Sequence, residues 1–367
     1  MKRGVLEDKA NEEGPLLKTL FKHKLDQRAQ PKIVLTRLVL DKIDVHYPER
    51  ALLRTIDVCQ LEHLVVSRCM FSDSLLASLT STFTKDSCAL RSFEFTGMLD
   101  SLSALEDFLK AFSGISCLHV HYYNLEGGQD FDVTSLRTHL STLRQFTLCG
   151  REMDFWTVAR PLPTQTLKVL SEGMPKLGDL AIAMPEVRCI DAGYDDWEAF
   201  RAALDTISTI SQLRTLRLTT WPTPAKGCFC LDDTLAENSD LAKKLVDLSR
   251  ARYFAQLDVS ANAVLRRVAA NRSTTDPTTL PLLCFGEVRR YAKIYEPNHS
   301  VKLTMHCVTY IPSMQRSATG GPDLVGLRAR TKTCSTACQG SRKRLSIRYF
   351  RYVKRMAGGA KSGITND

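Results

Sequence analysis

Apolar positions in this chain recur in a six-residue pattern, Leu-x-x-Leu-x-Leu with conservative replacements. Copies open at Leu35 (LTRLVL), Leu61 (LEHLVV), Leu90 (LRSFEF), Ile115 (ISCLHV), Leu143 (LRQFTL), Leu177 (LGDLAI) and Leu213 (LRTLRL). The intervals between them are 26, 29, 25, 28, 34 and 36 residues. A weaker copy begins at Leu265 (LRRVAA), 52 residues on, and an apolar run, LLCF, begins at Leu282. The last two anchors of each copy alternate with an outward position, which is the period of a β-strand, whose side chains point to opposite faces in turn. Leu38 and Leu40 therefore share one face, and Arg37, Val39 and Asp41 the other.

The segments between copies change period. Leu75, Leu76, Leu79 and Phe83 fall on one helical stripe, as do Leu102, Leu105, Phe108, Leu109 and Phe112, and Trp197, Phe200, Leu204, Ile207 and Ile210. Asp100-Ser101 and Asp195-Asp196 supply acceptors near two of the helix starts. Each unit is thus a strand followed by a helix. Such a unit cannot bury its apolar face alone, so stacking neighbours into one continuous core is the expected outcome.

With these hexads the chain resembles leucine-rich-repeat proteins of the long, irregular kind, over residues 35 to about 290. Cys69, eight residues after Leu61, stands where that family places Asn or Cys. The equivalent positions elsewhere are Ile43, Met98, Tyr123, Arg151, Pro185 and Trp221, which points to a distorted array. The texture also resembles fungal proteins with F-box-like and leucine-rich-repeat regions, although no F-box is visible here. The resemblance implies an α/β fold: a right-handed solenoid with parallel strands on a concave side and helices on the convex side. It also implies a non-catalytic scaffold that binds a protein partner on the concave face, in the F-box-like case as a substrate receptor tied to a ubiquitin-ligase adaptor.

Three segments are expected: an N-terminal tail with a capping helix (1–31; Leu16, Leu17, Leu20, Phe21, Leu25), the repeat array (32–315), and a basic, disordered tail (316–367). An insertion near 221–256 breaks the rhythm, with a Pro-rich loop from Trp221 and a helix from Thr234 to Phe254. Phe285-Gly286-Glu287 and Val301–Met305 read as closing strands.

Lys+Arg 50 against Asp+Glu 40 leave +10, and the last segment accounts for all of it, with twelve basic residues against Asp323 and Asp367. The body is neutral, so a polyanion groove along it is not expected, and nucleic acid is confined to the tail. The tail cluster holds Arg342, Lys343, Arg344, Arg348, Arg351, Lys354 and Arg355, interleaved with Tyr349, Phe350 and Tyr352. Four readings fit it: a nuclear-localisation signal, a contact for acidic membrane or nucleic acid, a solvated extension, or a faulty gene model. No apolar run reaches the roughly 20 residues of a membrane helix, and no secretory leader is visible, so a cytoplasmic or nuclear protein is expected.

Reaction motifs are missing. There is no G-x-S-x-G elbow, phosphate-binding loop or H-E-x-x-H, and the twelve cysteines lack zinc-site spacing. No metal, no cofactor and no enzyme activity are expected. Residues on the outward strand positions carry the partner-binding expectation: Arg37, His63, Glu94, His119, His121, Gln145, Asp179 and Arg217. The competing reading is an enzyme with a loop site near the strand ends, around His119 and His121.

Overall fold

Each of the seven hexads closes in a β-strand. The computed structural model describes residues 32–43, 45, 49–84, 87–124, 130–152, 160–187, 198–220, 222, 240–274, 276–286, 308–316 and 322–329. The strands are β1 (Ile33–Val34), β2 (Arg37–Asp41), β3 (Ile56–Asp57), β4 (His63–Ser67), β5 (Ser92–Leu99), β6 (Cys117–Asn124), β7 (Gln145–Glu152), β8 (Asp179–Ile182), β9 (Thr215–Leu218), β10 (Leu282–Phe285), β11 (Val308–Arg316) and β12 (Pro322–Arg328). The helices are α1 (Glu49–Thr55), α2 (Ser72–Phe83), α3 (Ser103–Lys110), α4 (Thr164–Gly173), α5 (Glu198–Ser208) and α6 (Asp240–Asn271).

Ten strands form one sheet in the order β2-β4-β5-β6-β7-β8-β9-β10-β11-β12, while β1 and β3 pair separately. From β2 to β10 every pairing is parallel, and each strand lies beside its successor. β11 and β12 then close the sheet as an antiparallel hairpin.

The register fixes the core. Leu64, Phe93, Leu118, Phe146, Leu180 and Leu216 stand side by side along one rung. They are buried in a single apolar cluster with the stripes of α2, α3 and α5, as their periodicity requires. Phe83, Phe93, Phe108 and Phe112 interlock there, with ring centroids 4.8 to 5.8 Å apart. Complete burial of one such side chain stabilises the fold by roughly 1.5–3 kcal/mol, so a continuous rung outweighs the irregular spacing of the units.

Four expectations need correction, and others fall outside the described residues. The copy at Leu265 is helical, because Tyr253, Leu257, Ala261, Val264, Leu265 and Val268 repeat every three or four residues and are all buried on α6. The helix expected to end at Phe254 therefore continues to Asn271. Among the described residues between β6 and β7 there is a 3-10 turn (Val133–Leu136) and no α-helix. Side chains there bond the preceding unit's backbone: Thr138 Oγ1 donates to Phe112 O (2.9 Å) and Thr142 Oγ1 to Ile115 O (2.7 Å). Residues 322–328, assigned to the tail, form a sheet strand. Leu324 is buried, Gly326 N donates to Asn262 Oδ1 (2.6 Å), and the Arg328 guanidinium lies over the Phe254 ring. Val301–Met305, the N-terminal helix and Trp197 lie outside the described residues.

α6 is fastened to α5 by side chains. Arg267 Nε and Nη2 donate to the two carboxylate oxygens of Asp205 at 2.6 Å each, and Arg272 Nε donates to Ser208 O at the end of α5 (3.1 Å). Among the described residues no helix is long and apolar enough to cross a membrane.

Candidate functional site: the outward face of the sheet

Strand alternation turns every second side chain away from the helices, and parallel register aligns these into rungs. One rung reads Arg37, His63, Ser92, Cys117, Gln145, Asp179 and Thr215 from β2 to β9. The next reads Val39, Val65, Glu94, His119, Thr147, Ala181 and Arg217. Six strand spacings of about 4.8 Å put the two ends of a rung about 29 Å apart. Seven of the eight outward residues singled out from sequence thus fall on two adjacent rungs. His121 is the eighth, one rung further along between Thr96 and Cys149.

Exposure along the face is uneven. Arg37 and His63 are exposed, whereas Glu94, His119, His121, Gln145, Asp179 and Arg217 are half-buried. Ser67, Cys149, Ala181, Ala183 and Thr219 also occupy outward positions but are buried. Their side chains are short and stay close to the backbone.

The centre of the face carries a hydrogen-bonded chain across three strands. Gln145 Nε2 on β7 donates to Asp179 Oδ2 on β8 (2.9 Å), which turns Gln145 Oε1 toward β6. That oxygen accepts from Cys117 Sγ at 3.2 Å. Cys117 Sγ also lies 3.1 Å from His119 Nε2, and His119 Nδ1 lies 2.7 Å from Thr147 Oγ1. A thiol has one proton to give, so it serves either Gln145 Oε1 or, in the tautomer with Nε2 unprotonated, His119. His121 is differently engaged, its ring stacking on Tyr123 with centroids 5.6 Å apart. No group of three or more His, Cys, Asp or Glu side chains among the described residues is placed to hold a metal.

At the β2 end, Arg68 grips Asp41 through Nη2 to Oδ1 (2.7 Å) and Oδ2 (2.8 Å). Burial raises the Asp41 carboxyl, but the hydrogen bonds and charge of Arg68 outweigh it and leave the group below the usual carboxylate range. Cys69, on the turn beyond, donates its thiol to Ser67 O (3.6 Å), and burial pushes that thiol up. Arg342, Lys343, Arg344, Arg348, Arg351, Lys354 and Arg355 lie outside the described residues.

Cys117 and Thr147 share the outward face but were not among the residues singled out from sequence. The available signal was Cys117 standing two residues before His119, a spacing that puts thiol and imidazole on one face of a strand. Thr147 carried no such mark, since only register brings it to His119.

No protein-family model and no curated protein matches this chain. The resemblance carried by the hexads therefore comes without a family assignment.

Proposed function

We propose that the chain is a non-catalytic interaction scaffold of the leucine-rich-repeat solenoid type, which binds a protein partner on the outward sheet face in the cytoplasm or nucleus. The observation that carries this reading is the pair of aligned rungs from Arg37 to Thr215 and from Val39 to Arg217. They offer Arg, His, Glu, Gln, Asp, Thr and Val side chains with no single sign of charge. Mixed, partly exposed surfaces of this kind suit a protein partner better than a polyanion, which needs a basic stripe. Chain-order stacking of β2 to β10 supports the solenoid reading, since each unit then packs on its sequence neighbours. A ubiquitin-ligase adaptor belongs to this proposal through the resemblance alone.

The test is affinity capture followed by mass spectrometry with the wild-type chain and an E94K/R217E variant. A protein recovered by the wild type and lost with the variant, while the variant's circular dichroism is unchanged, supports the reading. Identical captured sets contradict it.

A further inference from the structure

The chain from Asp179 to Thr147 does something the scaffold reading does not require: it sets an imidazole against a thiol on an open strand face. Cys117 Sγ is 3.1 Å from His119 Nε2, and the far nitrogen of the same ring is held 2.7 Å from Thr147 Oγ1. The ring is thereby fixed by a partner on β7; in the tautomer that carries its proton on Nδ1 and donates it to Thr147, the Nε2 lone pair faces the sulfur. Both Cys117 and His119 are half-buried residues. Cys69, Cys149 and Cys284, by contrast, are buried.

We propose that Cys117 is a nucleophilic thiol, with His119 as its base, and that it adds covalently to α,β-unsaturated carbonyl compounds. In the step, His119 Nε2 takes the thiol proton while a sulfur lone pair forms the S–C bond to the β-carbon. The C=C π pair moves to the carbonyl as an enolate, which recovers a proton at the α-carbon from the imidazolium. Thiol and alkene become a thioether, with no oxidant or reductant needed.

Two neighbours define the type of chemistry. Gln145 Oε1, turned to the sulfur because its Nε2 is held by Asp179, opposes a standing thiolate. The proton therefore leaves during the addition. The backbone N–H of Cys117, the donor closest in the chain to an oxyanion at a carbon bonded to its sulfur, is already committed to Arg91 O at 3.1 Å. Acyl transfer needs donors aimed at such an oxyanion. Conjugate addition places its charge on an oxygen several bonds away, so the site fits covalent capture better than acyl turnover.

The test is N-ethylmaleimide labelling of the full chain, followed residue by residue by mass spectrometry between pH 6 and 9. Half-buried Cys59 is the internal comparison. Cys117 is expected to label at least about tenfold faster than Cys59 at pH 7, since a positioned general base contributes that much or more. Its rate should also reach half-maximum at lower pH. In H119Q the advantage and the pH displacement should both disappear while circular dichroism stays unchanged. Equal rates for Cys117 in wild type and H119Q overturn the proposal. If H119Q does not fold, the wild-type profile decides, and coincident pH curves for Cys117 and Cys59 overturn it.

Discussion

His139 Nδ1 accepts a hydrogen bond from the backbone N–H of Ile115, 24 residues earlier, at 3.3 Å. Its other nitrogen, Nε2, lies 2.8 Å from the carbonyl oxygen of Leu109 and donates to it. The ring is buried against Phe112. One imidazole thus joins the end of α3, the start of the fourth hexad and the 3-10 crossover, doing across the chain what a helix does elsewhere within it.

This arrangement requires neutral His139. Burial holds the imidazole below its ordinary value, against a smaller opposing effect of the Leu109 hydrogen bond. A folded-state value below the unfolded one means that the unfolded chain binds the proton first as pH falls. Its contribution is therefore complete above about pH 6.5 and is lost progressively below it. Urea midpoints at pH 7.5 and 5.5 should show the wild type losing more stability on acidification than H139L. At pH 7.5, H139L should itself cost about 2–4 kcal/mol, since a buried donor and a buried acceptor lose their partner. Equal acid sensitivity of the two proteins would contradict this role.

Gly150 on β7 is required by space. A Cβ built there meets the Tyr122 hydroxyl and ring of the adjacent strand. Tyr122 is itself buried, and that burial pushes its phenol well above the usual range. Gly150→Ala must therefore displace a closely packed ring, and the expected cost is about 1–3 kcal/mol by urea denaturation. An unchanged midpoint would mean that Tyr122 can move without loss.

Truncation separates the sheet from the basic segment. Ending the chain after Arg316 removes β12, and with it Leu324, the Gly326–Asn262 bond and the Arg328–Asp258 pair at 3.7 Å. Tyr310, which donates to Asp258 at 2.8 Å and packs against Gly326, loses its cover. Loss of Leu324 burial alone is worth roughly 1.5–3 kcal/mol, and thermal unfolding should occur earlier. Ending the chain after Arg330 keeps all of these contacts and should leave the transition in place. Equal melting of the two truncations would remove β12 from the stabilising core.

What the sequence made legible follows the strength of each physical signal. The strand anchors were readable because Leu64, Phe93 and Leu118 must recur at every second position, with outward residues between, to reach one core. The copy at Leu265 misled because LRRVAA satisfies the hexad by composition, whereas the helical spacing from Tyr253 to Val268 decides how it packs. β12 was hidden by the charge count, which grouped Arg328 with the basic tail although its guanidinium covers Phe254. On the outward face, alternation alone gave the positions of His119 and Cys117. Their partner Thr147 depends on the β6–β7 register, a relation between residues 28 apart that no local pattern encodes.

The outward rungs exist only if the strands lie in this register, and a pair of double-mutant cycles measures that most directly. Phe93 and Leu118 are neighbours along the core rung, whereas Leu64 and Leu216 are five strands apart, about 24 Å. Unfolding free energies of F93L, L118A and their double variant should depart from additivity by about 0.5 kcal/mol or more, while L64A and L216A should add within about 0.5 kcal/mol. Additive behaviour at Phe93 and Leu118, with strong coupling between Leu64 and Leu216, would contradict the stacked parallel sheet.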